Sequence, residues 1–140
     1  MNNTPQVKAP WLKSKDPEVP AALTYSELSM CSRVEEMVRR YPDYIAYEFM
    51  GKCTTYAEMW KKINACAKSL KAIGIREGDK VTICMPNAPQ TLCMFYAVNM
   101  VGAIANMVHP LSAESEIAFY LRDSGSVAAI TLDQFYNKFE

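Results

Sequence analysis

The chain has little of several features that would assign a function directly. Its 140 residues contain a single histidine, His109, and five cysteines without a C-x-x-C pair. Because zinc sites need clustered His, Cys or carboxylate ligands, this composition argues against a zinc site. Lys plus Arg equals Asp plus Glu at fifteen each, which leaves no net field to attract nucleic acid or an anionic membrane. Residues 1–20 also lack the apolar core of a secretory signal.

The cysteines lie in apolar or helical stretches, and their number is odd. Disulfides persist mainly in oxidising compartments, so we expect buried free thiols in a cytoplasmic protein. The five are Cys31, Cys53, Cys66, Cys84 and Cys93.

No charged side chain occurs between Val81 and Ala113, and a run of this length raises the alternative of a membrane span. Pro86, Gly102 and Pro110 interrupt the run, and such breaks would leave polar backbone groups unsatisfied in lipid. A buried strand, a helix and a second buried strand explain the pattern better, because strands of parallel sheets are nearly continuous apolar runs.

The first part of the chain predicts a polar lead-in, a helix and a hairpin. Residues 1–28 are polar and proline-rich and are expected to be extended. A helix should follow from Met30 to Tyr41, capped by Ser29 and stopped by Pro42. Residues 44–50 and 53–55 then predict two short strands joined by a turn at Gly51-Lys52.

A second helix should begin at Thr55, since Thr55 and Glu58 have the spacing of a capping box. Gly74 is placed to end it in a left-handed conformation. Lysines fall on the face opposite the apolar one; a polyanion-binding face is one interpretation, and a solvated helix face is the commoner one. The apolar face contains Tyr56, Met59, Trp60, Ile63, Ala67 and Leu70.

The remaining sequence alternates strands with helices. Residues 80–85, 103–108 and 127–131 predict three buried strands. Between them we expect an almost wholly apolar helix capped by Asn87 and ended by Gly102, then a helix over 113–123 capped by Ser112. Ile117, Tyr120 and Leu121 should face inward, and a last helix should start at Asp133. This order predicts an α/β fold with a partial parallel sheet, flanking helices and right-handed crossovers.

Several stretches, in fixed order over residues 41–131, resemble the start of the superfamily of acyl-CoA synthetases, luciferases and peptide-synthetase adenylation domains. No single stretch is diagnostic, but their order and spacing are specific. Thr54 and Met59 depart from the family, where Leu or Ile and Leu are usual. The matching stretches are Tyr41-Pro42-Asp43 with Ile45-Ala46, Thr54 to Met59, Leu70 to Val81, Met85-Pro86-Asn87, and Ala97 to Pro110.

The resemblance implies an AMP-forming acid–CoA ligase that uses ATP, Mg²⁺ and CoA as the full-length protein. In such enzymes a carboxylate attacks the α-phosphorus of ATP, pyrophosphate leaves, and the acyl group passes from AMP to the CoA thiol. The family's Ser/Thr/Gly-rich phosphate loop ending in Pro-Lys-Gly, its later acidic residues and its C-terminal lysine do not occur in this sequence. Residues 29–140 are therefore expected to be an incomplete N-terminal α/β subdomain, inactive alone and binding no cofactor.

No residue of this chain is assigned a catalytic, cofactor-binding or metal-binding role. Ser124-Gly125-Ser126 lacks the further glycines and the lysine of a phosphate loop and is expected to be a turn. His109 has no local carboxylate or nucleophile and is expected to be structural, although the His109-Pro110 pair slightly favours the fatty-acid or aromatic-acid branches. Met94, Met100 and Met107 are expected in the core rather than in an acyl pocket, and Arg76 and Lys80 in solvent rather than on CoA phosphate.

The alternative function is a non-catalytic α/β interaction or regulatory module that keeps only the scaffold. In the ligase interpretation, the partners are the remainder of the same polypeptide and a carboxylic acid of unspecified kind. The apolar helix that ends at Val101 should lack part of its cover in a chain of 140 residues. We therefore expect self-association through residues 92–107 or an unpaired strand edge.

Overall fold

The computed structural model describes residues 9–20 and 22–139. In this part of the chain, four α-helices and five strands follow one another, with a 3-10 helix before them and another after them. The lead-in predicted over residues 1–28 lies partly outside the described residues, and Pro10–Ser14 within it forms the first 3-10 helix. The other elements are α1 (Met30–Arg40), β1 (Ile45–Phe49), β2 (Lys52–Thr55), α2 (Tyr56–Ala72), β3 (Lys80–Cys84), α3 (Pro89–Val101), β4 (Ile104–Met107), α4 (Glu114–Ser124), β5 (Ala128–Thr131) and the second 3-10 helix (Asp133–Phe139).

The helix starts of α1 and α2 match the expected local chemistry. The Ser29 side chain accepts a hydrogen bond from the Ser32 amide at the start of α1. At α2, the Glu58 amide donates to Thr55 Oγ1 (3.3 Å) and the Thr55 amide donates to the Glu58 carboxylate (2.9 Å). This reciprocal capping box satisfies two amide groups that a helix start would otherwise leave unpaired.

The strands form two separate sheets. β1 and β2 pair antiparallel, with an irregularity between Ile45 and Tyr47. Their connecting turn places Met50 at φ 50° and Gly51 at φ 77°, so it lies one residue before the predicted Gly51-Lys52 turn. β3, β4 and β5 form a parallel sheet in the order β4-β3-β5, which confirms the predicted α/β fold with a partial parallel sheet.

The central strand β3 divides the sheet into two faces. Val81, Ile83 and Met85 point to one face, where they belong to a core cluster with residues of α2 and α3 such as Leu70 and Ala97. Cys84 points to the other face and packs with Val108 and with Ile117 of α4. The alternation follows from the period of two along a strand, and it places helices on both faces of β3.

The apolar helix predicted after β3 is confirmed as α3. Thr91, Cys93, Ala97, Val98 and Val101 are buried, and the other residues from 92 to 100 are half-buried. No helix among the described residues is both long enough and apolar enough to cross a membrane.

Several sequence predictions about α3, α4 and β5 are wrong in detail. Ala88, not Asn87, is the N-cap of α3, and Thr91 Oγ1 donates to the Pro86 carbonyl at 2.6 Å. Ala113, not Ser112, is the N-cap of α4; the Ala113 amide donates to the Glu116 carboxylate at 3.0 Å. Each helix therefore begins one residue later than predicted. At α4, the Glu116 carboxylate in the first turn accepts from the amide of the cap residue, as in a capping box.

Burial near the C-terminal end of the chain is also lower than the sequence pattern suggested. The strand predicted to be buried over 127–131 is an edge strand that is at most half-buried, and Val127 is 61% exposed. Tyr120 is 40% exposed rather than inward-facing, whereas Ile117 is fully buried and Leu121 half-buried. The predicted last helix is the 3-10 helix Asp133–Phe139, and Glu140 lies outside the described residues.

Candidate functional site

Ligand sites of open parallel sheets lie beyond the carboxyl ends of the strands, and in this chain that edge carries two polar side chains. His109 follows β4 there, and its Nδ1 accepts a hydrogen bond from the Leu111 amide at 3.2 Å. Lys138 reaches the same loop from the last 3-10 helix and donates to the Pro110 and Ser112 carbonyls, at 2.9 Å each. Both side chains hold the loop in shape, which supports the structural role expected for His109.

The Ser124-Gly125-Ser126 segment is the turn between α4 and β5. Gly125 has φ 63° and ends α4, its amide donating to the Arg122 carbonyl at 3.1 Å. The Ser124 and Ser126 hydroxyls are 2.8 Å apart and hydrogen-bond to each other. The hydroxyl groups of this turn are therefore engaged in hydrogen bonds within the protein.

A buried polar network joins that turn to the sheet, and it was not predicted from the sequence. Thr82 is fully buried in β3, and its hydroxyl lies 2.7 Å from the Ser126 hydroxyl. Asn106 of β4 donates from Nδ2 to Thr82 Oγ1 (2.9 Å) and to Ser124 Oγ (3.2 Å). Buried polar groups require such partners, so the network couples two strands to the end of α4. Its only sequence signal was a threonine and an asparagine within otherwise apolar strands.

The structure also brings together two short motifs that lie within the stretches matching the family, Gly78-Asp79 before β3 and Gly102-Ala103 before β4. The Gly78 amide donates to the Gly102 carbonyl at 2.9 Å, and the Ile104 amide donates to the Asp79 carbonyl at 2.7 Å. Asp79 also accepts from the Arg76 amide at 2.8 Å through its carboxylate. The two motifs therefore hold the amino ends of neighbouring strands together, and we call them the strand-junction motifs.

Gly102 lies at the junction of the two motifs, in close contact with Glu77. It has φ 84°. The Gly102 amide donates to the Asn99 carbonyl and the Ala103 amide donates to the Val98 carbonyl, and these two hydrogen bonds are those of a Schellman motif. A Cβ on Gly102 would lie 3.0 Å from Glu77 Cγ and 3.2 Å from Glu77 Cβ. The glycine is therefore required both by the left-handed backbone and by the approach of the Glu77 turn.

The methionine and basic side chains considered as ligand contacts lie in the core or on the exposed surface. Met94 and Met100 pack against the core as expected, but Met107 is 51% exposed, contrary to the prediction. Arg76 and Lys80 are exposed, and neither forms an ion pair within the described part of the chain.

All five cysteines are free thiols. Cys84 and Cys93 are buried and Cys31 and Cys66 are half-buried, whereas Cys53 is exposed and so was wrongly predicted to be buried. Desolvation by burial raises the pKa of the Cys31, Cys66, Cys84 and Cys93 thiols. A raised pKa leaves a smaller fraction of the thiol as thiolate and slows its reaction with electrophiles. No group of three or more His, Cys, Asp or Glu side chains suited to a metal ion occurs in residues 9–20 and 22–139.

Two concave regions lie on the side of α2 and α3. A groove of about 580 Å³ runs between α1, α2 and α3; Tyr25, Met37 and Tyr96 are among its lining residues. A smaller pocket of about 330 Å³ lies between β1, α2 and α3. Neither contains the paired acid, base and nucleophile that a hydrolytic or transfer site requires.

Comparison with known proteins identifies the family. Residues 34–139 match the family described as AMP-binding enzyme. The chain belongs to the AMP-binding enzyme family. The match includes both strand-junction motifs and the whole three-stranded sheet, so the resemblance seen in the sequence is confirmed.

Three individual proteins illustrate the AMP-binding relationship. The chain is 32% identical over 133 residues to a long-chain-fatty-acid–CoA ligase of Bacillus subtilis, which covers 95% of this chain but 24% of the ligase. A Mycobacterium tuberculosis fatty acyl CoA synthetase superposes with a TM-score of 0.75 at 32% identity, over 78% of this chain and 22% of that protein. The N-terminal subdomain of Klebsiella oxytoca NpsA superposes with a TM-score of 0.71 at 27% identity, over 74% and 27% of the two chains. The chain thus spans about a quarter of the length of its relatives.

Proposed function

We propose that this chain is the N-terminal scaffold of an ATP-dependent ligase that activates a carboxylic acid as an acyl-adenylate and transfers it to CoA. The observation that carries the proposal is the match of residues 34–139 to the AMP-binding enzyme family. The names of the Bacillus subtilis and Mycobacterium tuberculosis relatives support a fatty acid as the substrate class. The free thiols support a reducing cytosol.

The scaffold role rests on what the described residues do. The strand-junction motifs and the Thr82 network hold β3 between two neighbouring strands. ATP does not fit the Ser124–Ser126 turn, because those hydroxyls are already bonded within the fold. We therefore place the chemistry of ATP, Mg²⁺ and CoA in the remainder of the polypeptide and derive no catalytic step from this chain.

Pyrophosphate release tests the proposal directly. The isolated chain, given ATP, Mg²⁺, CoA and a panel of fatty acids, should release no pyrophosphate above the enzyme-free rate. The Bacillus subtilis ligase, assayed in parallel, is the positive control. Acid-dependent release by the 140-residue chain would show that it holds a complete site and would overturn the scaffold assignment.

The reading frame beyond Glu140 distinguishes the ligase from the non-catalytic module. A continuation of several hundred residues that contains a Pro-Lys-Gly phosphate loop is the expected finding. A stop codon directly after Glu140 would instead favour the interaction or regulatory module.

A further inference from the structure

The smaller pocket between β1, α2 and α3 has an apolar wall and a polar mouth. Cys66 of α2 and Cys93, Met94 and Pro89 of α3 form part of its wall, and its volume is about 330 Å³. We call it the thiol pocket. Cys93 is only 4% exposed and Cys66 is half-buried.

Lys62 and Tyr47 form the mouth of the thiol pocket. Lys62 Nζ donates to the Tyr47 hydroxyl at 3.4 Å and lies 5.9 Å from the centroid of the Tyr47 ring. Within the described residues Lys62 forms no ion pair with a carboxylate. An ammonium group has three N–H donors and a phenol hydroxyl can donate as well as accept, so both side chains keep donors for an anion.

The larger groove lacks this combination. Its cation, Arg33, is paired with the Glu36 carboxylate at 2.8 Å. Of these two concave regions, the thiol pocket is the one that combines an apolar wall with a cation outside any ion pair of the described residues. Small-molecule sites are typically apolar cavities with a few convergent polar groups.

We propose that the thiol pocket binds a small amphipathic anion, an alkyl carboxylate of about eight carbons. Its apolar chain packs against Cys66, Cys93 and Met94, and its carboxylate accepts from Lys62 Nζ and the Tyr47 hydroxyl. At roughly 30 Å³ for each water-sized group, eight such groups fill most of the cavity. The site lies wholly within this chain. Its ligand shares the fatty-acid class of the proposed ligase substrate, but its binding needs no ATP or CoA and is tested separately from pyrophosphate release.

Alkylation of Cys66 provides a local readout. Octanoate, below its micellar concentration, should slow the reaction of Cys66 with iodoacetamide several-fold, measured by peptide mass spectrometry. Cys53 is exposed and lies outside the pocket, so its alkylation rate in the same sample should not change. Octanol, which has no charge, should protect Cys66 much less than octanoate at equal concentration.

Two lysine variants separate a specific head-group contact from general electrostatics. Lys62→Gln should weaken protection by octanoate about five- to tenfold, because a charge-assisted contact is lost. Lys61→Gln removes the same charge from a neighbouring exposed side chain that does not line the pocket, and should leave protection unchanged. Each variant is compared with its own rate without octanoate, which corrects for any change in thiol exposure. Absence of protection, equal protection by octanol, or equal effects of the two variants would overturn the proposal.

Discussion

Replacing Gly102 by alanine tests whether the contact between the two strand-junction motifs stabilises the fold. Gly102 and Gly125 each end a helix with positive φ, 84° and 63°. A Cβ at Gly102 would lie 3.0 to 3.5 Å from three atoms of Glu77, whereas a Cβ at Gly125 would meet nothing within 4 Å. Gly102→Ala and Gly125→Ala therefore share a backbone penalty and differ in steric contact.

The expected magnitudes follow from these two terms. A non-glycine residue in the left-handed region costs about 1–2 kcal/mol, and this term applies to both variants. Overpacking against a neighbour costs about 1–3 kcal/mol more, and it applies only at Gly102, because Glu77 Cα and Cβ cannot rotate away. We therefore expect Gly102→Ala to lower the free energy of unfolding by about 1–3 kcal/mol more than Gly125→Ala does.

Urea unfolding followed by circular dichroism measures the difference. The two variants should keep the slope of the parent chain and differ in transition midpoint, since only stability changes. A second background, Glu77→Gly, removes the side chain that the new methyl group would meet. In that background Gly102→Ala should cost no more than Gly125→Ala, and the double-mutant cycle should give a coupling energy of about 1–3 kcal/mol.

Equal costs for Gly102→Ala and Gly125→Ala in the parent chain would refute the reasoning. So would a coupling energy near zero between Gly102→Ala and Glu77→Gly. Either result would mean that the Glu77 turn moves aside without penalty and that the junction does not fix the spacing of α3 and β3.

Further predictions concern the polar network, the α2 cap, the thiols and association. Thr82→Val should lower the free energy of unfolding by about 1–3 kcal/mol, because buried partners lose their hydrogen bond; a neutral effect in urea unfolding would show that the network is dispensable. The backbone hydrogen bond from Thr55 lowers the pKa of Glu58. The stabilisation by the ionised Glu58 carboxylate is therefore present above the ordinary carboxyl pKa and is lost as pH falls through the lowered pKa. Between pH 7 and pH 3, the free energy of unfolding should fall less in Glu58→Gln than in the parent chain. Iodoacetamide should modify the exposed Cys53 well before Cys84, whose burial raises its thiol pKa, and the reverse order by mass spectrometry would contradict the described burial. The exposed apolar side chains of β4 predict a dimer or larger species at high micromolar concentration, and a clean monomer in analytical ultracentrifugation would disprove it.

Local sequence patterns determined most of the secondary structure. Thr55 and Glu58 predicted the start of α2 because a capping box needs only residues within one turn. The charge-free run predicted β3, α3 and β4 in order, because burial on both sides leaves few polar positions. The sequence alone also showed that it contains no phosphate-loop motif, since that motif is continuous in the sequence.

The details of helix starts and burial were less accessible. Asn87 and Ser112 have good capping side chains, yet Ala88 and Ala113 are the caps. At α4 the Glu116 carboxylate accepts from the Ala113 amide, and whether it does so depends on the actual path of the chain. The exposure of β5 followed from its place at the sheet edge, and an apolar strand pattern does not distinguish an edge from a centre.

What only the tertiary structure decided are the contacts between residues far apart in the chain. Thr82 and Ser126 meet across 44 positions, and Glu77 meets Gly102 across a whole strand and helix. The thiol pocket similarly needs Tyr47 of the hairpin, Lys62 of α2 and Cys93 of α3 at one place. Hydrophobic periodicity and helix capping depend on interactions within one or two turns, so the sequence reveals them. The long-range contacts depend on how whole helices and strands pack, and that packing is set by the summed burial of the core.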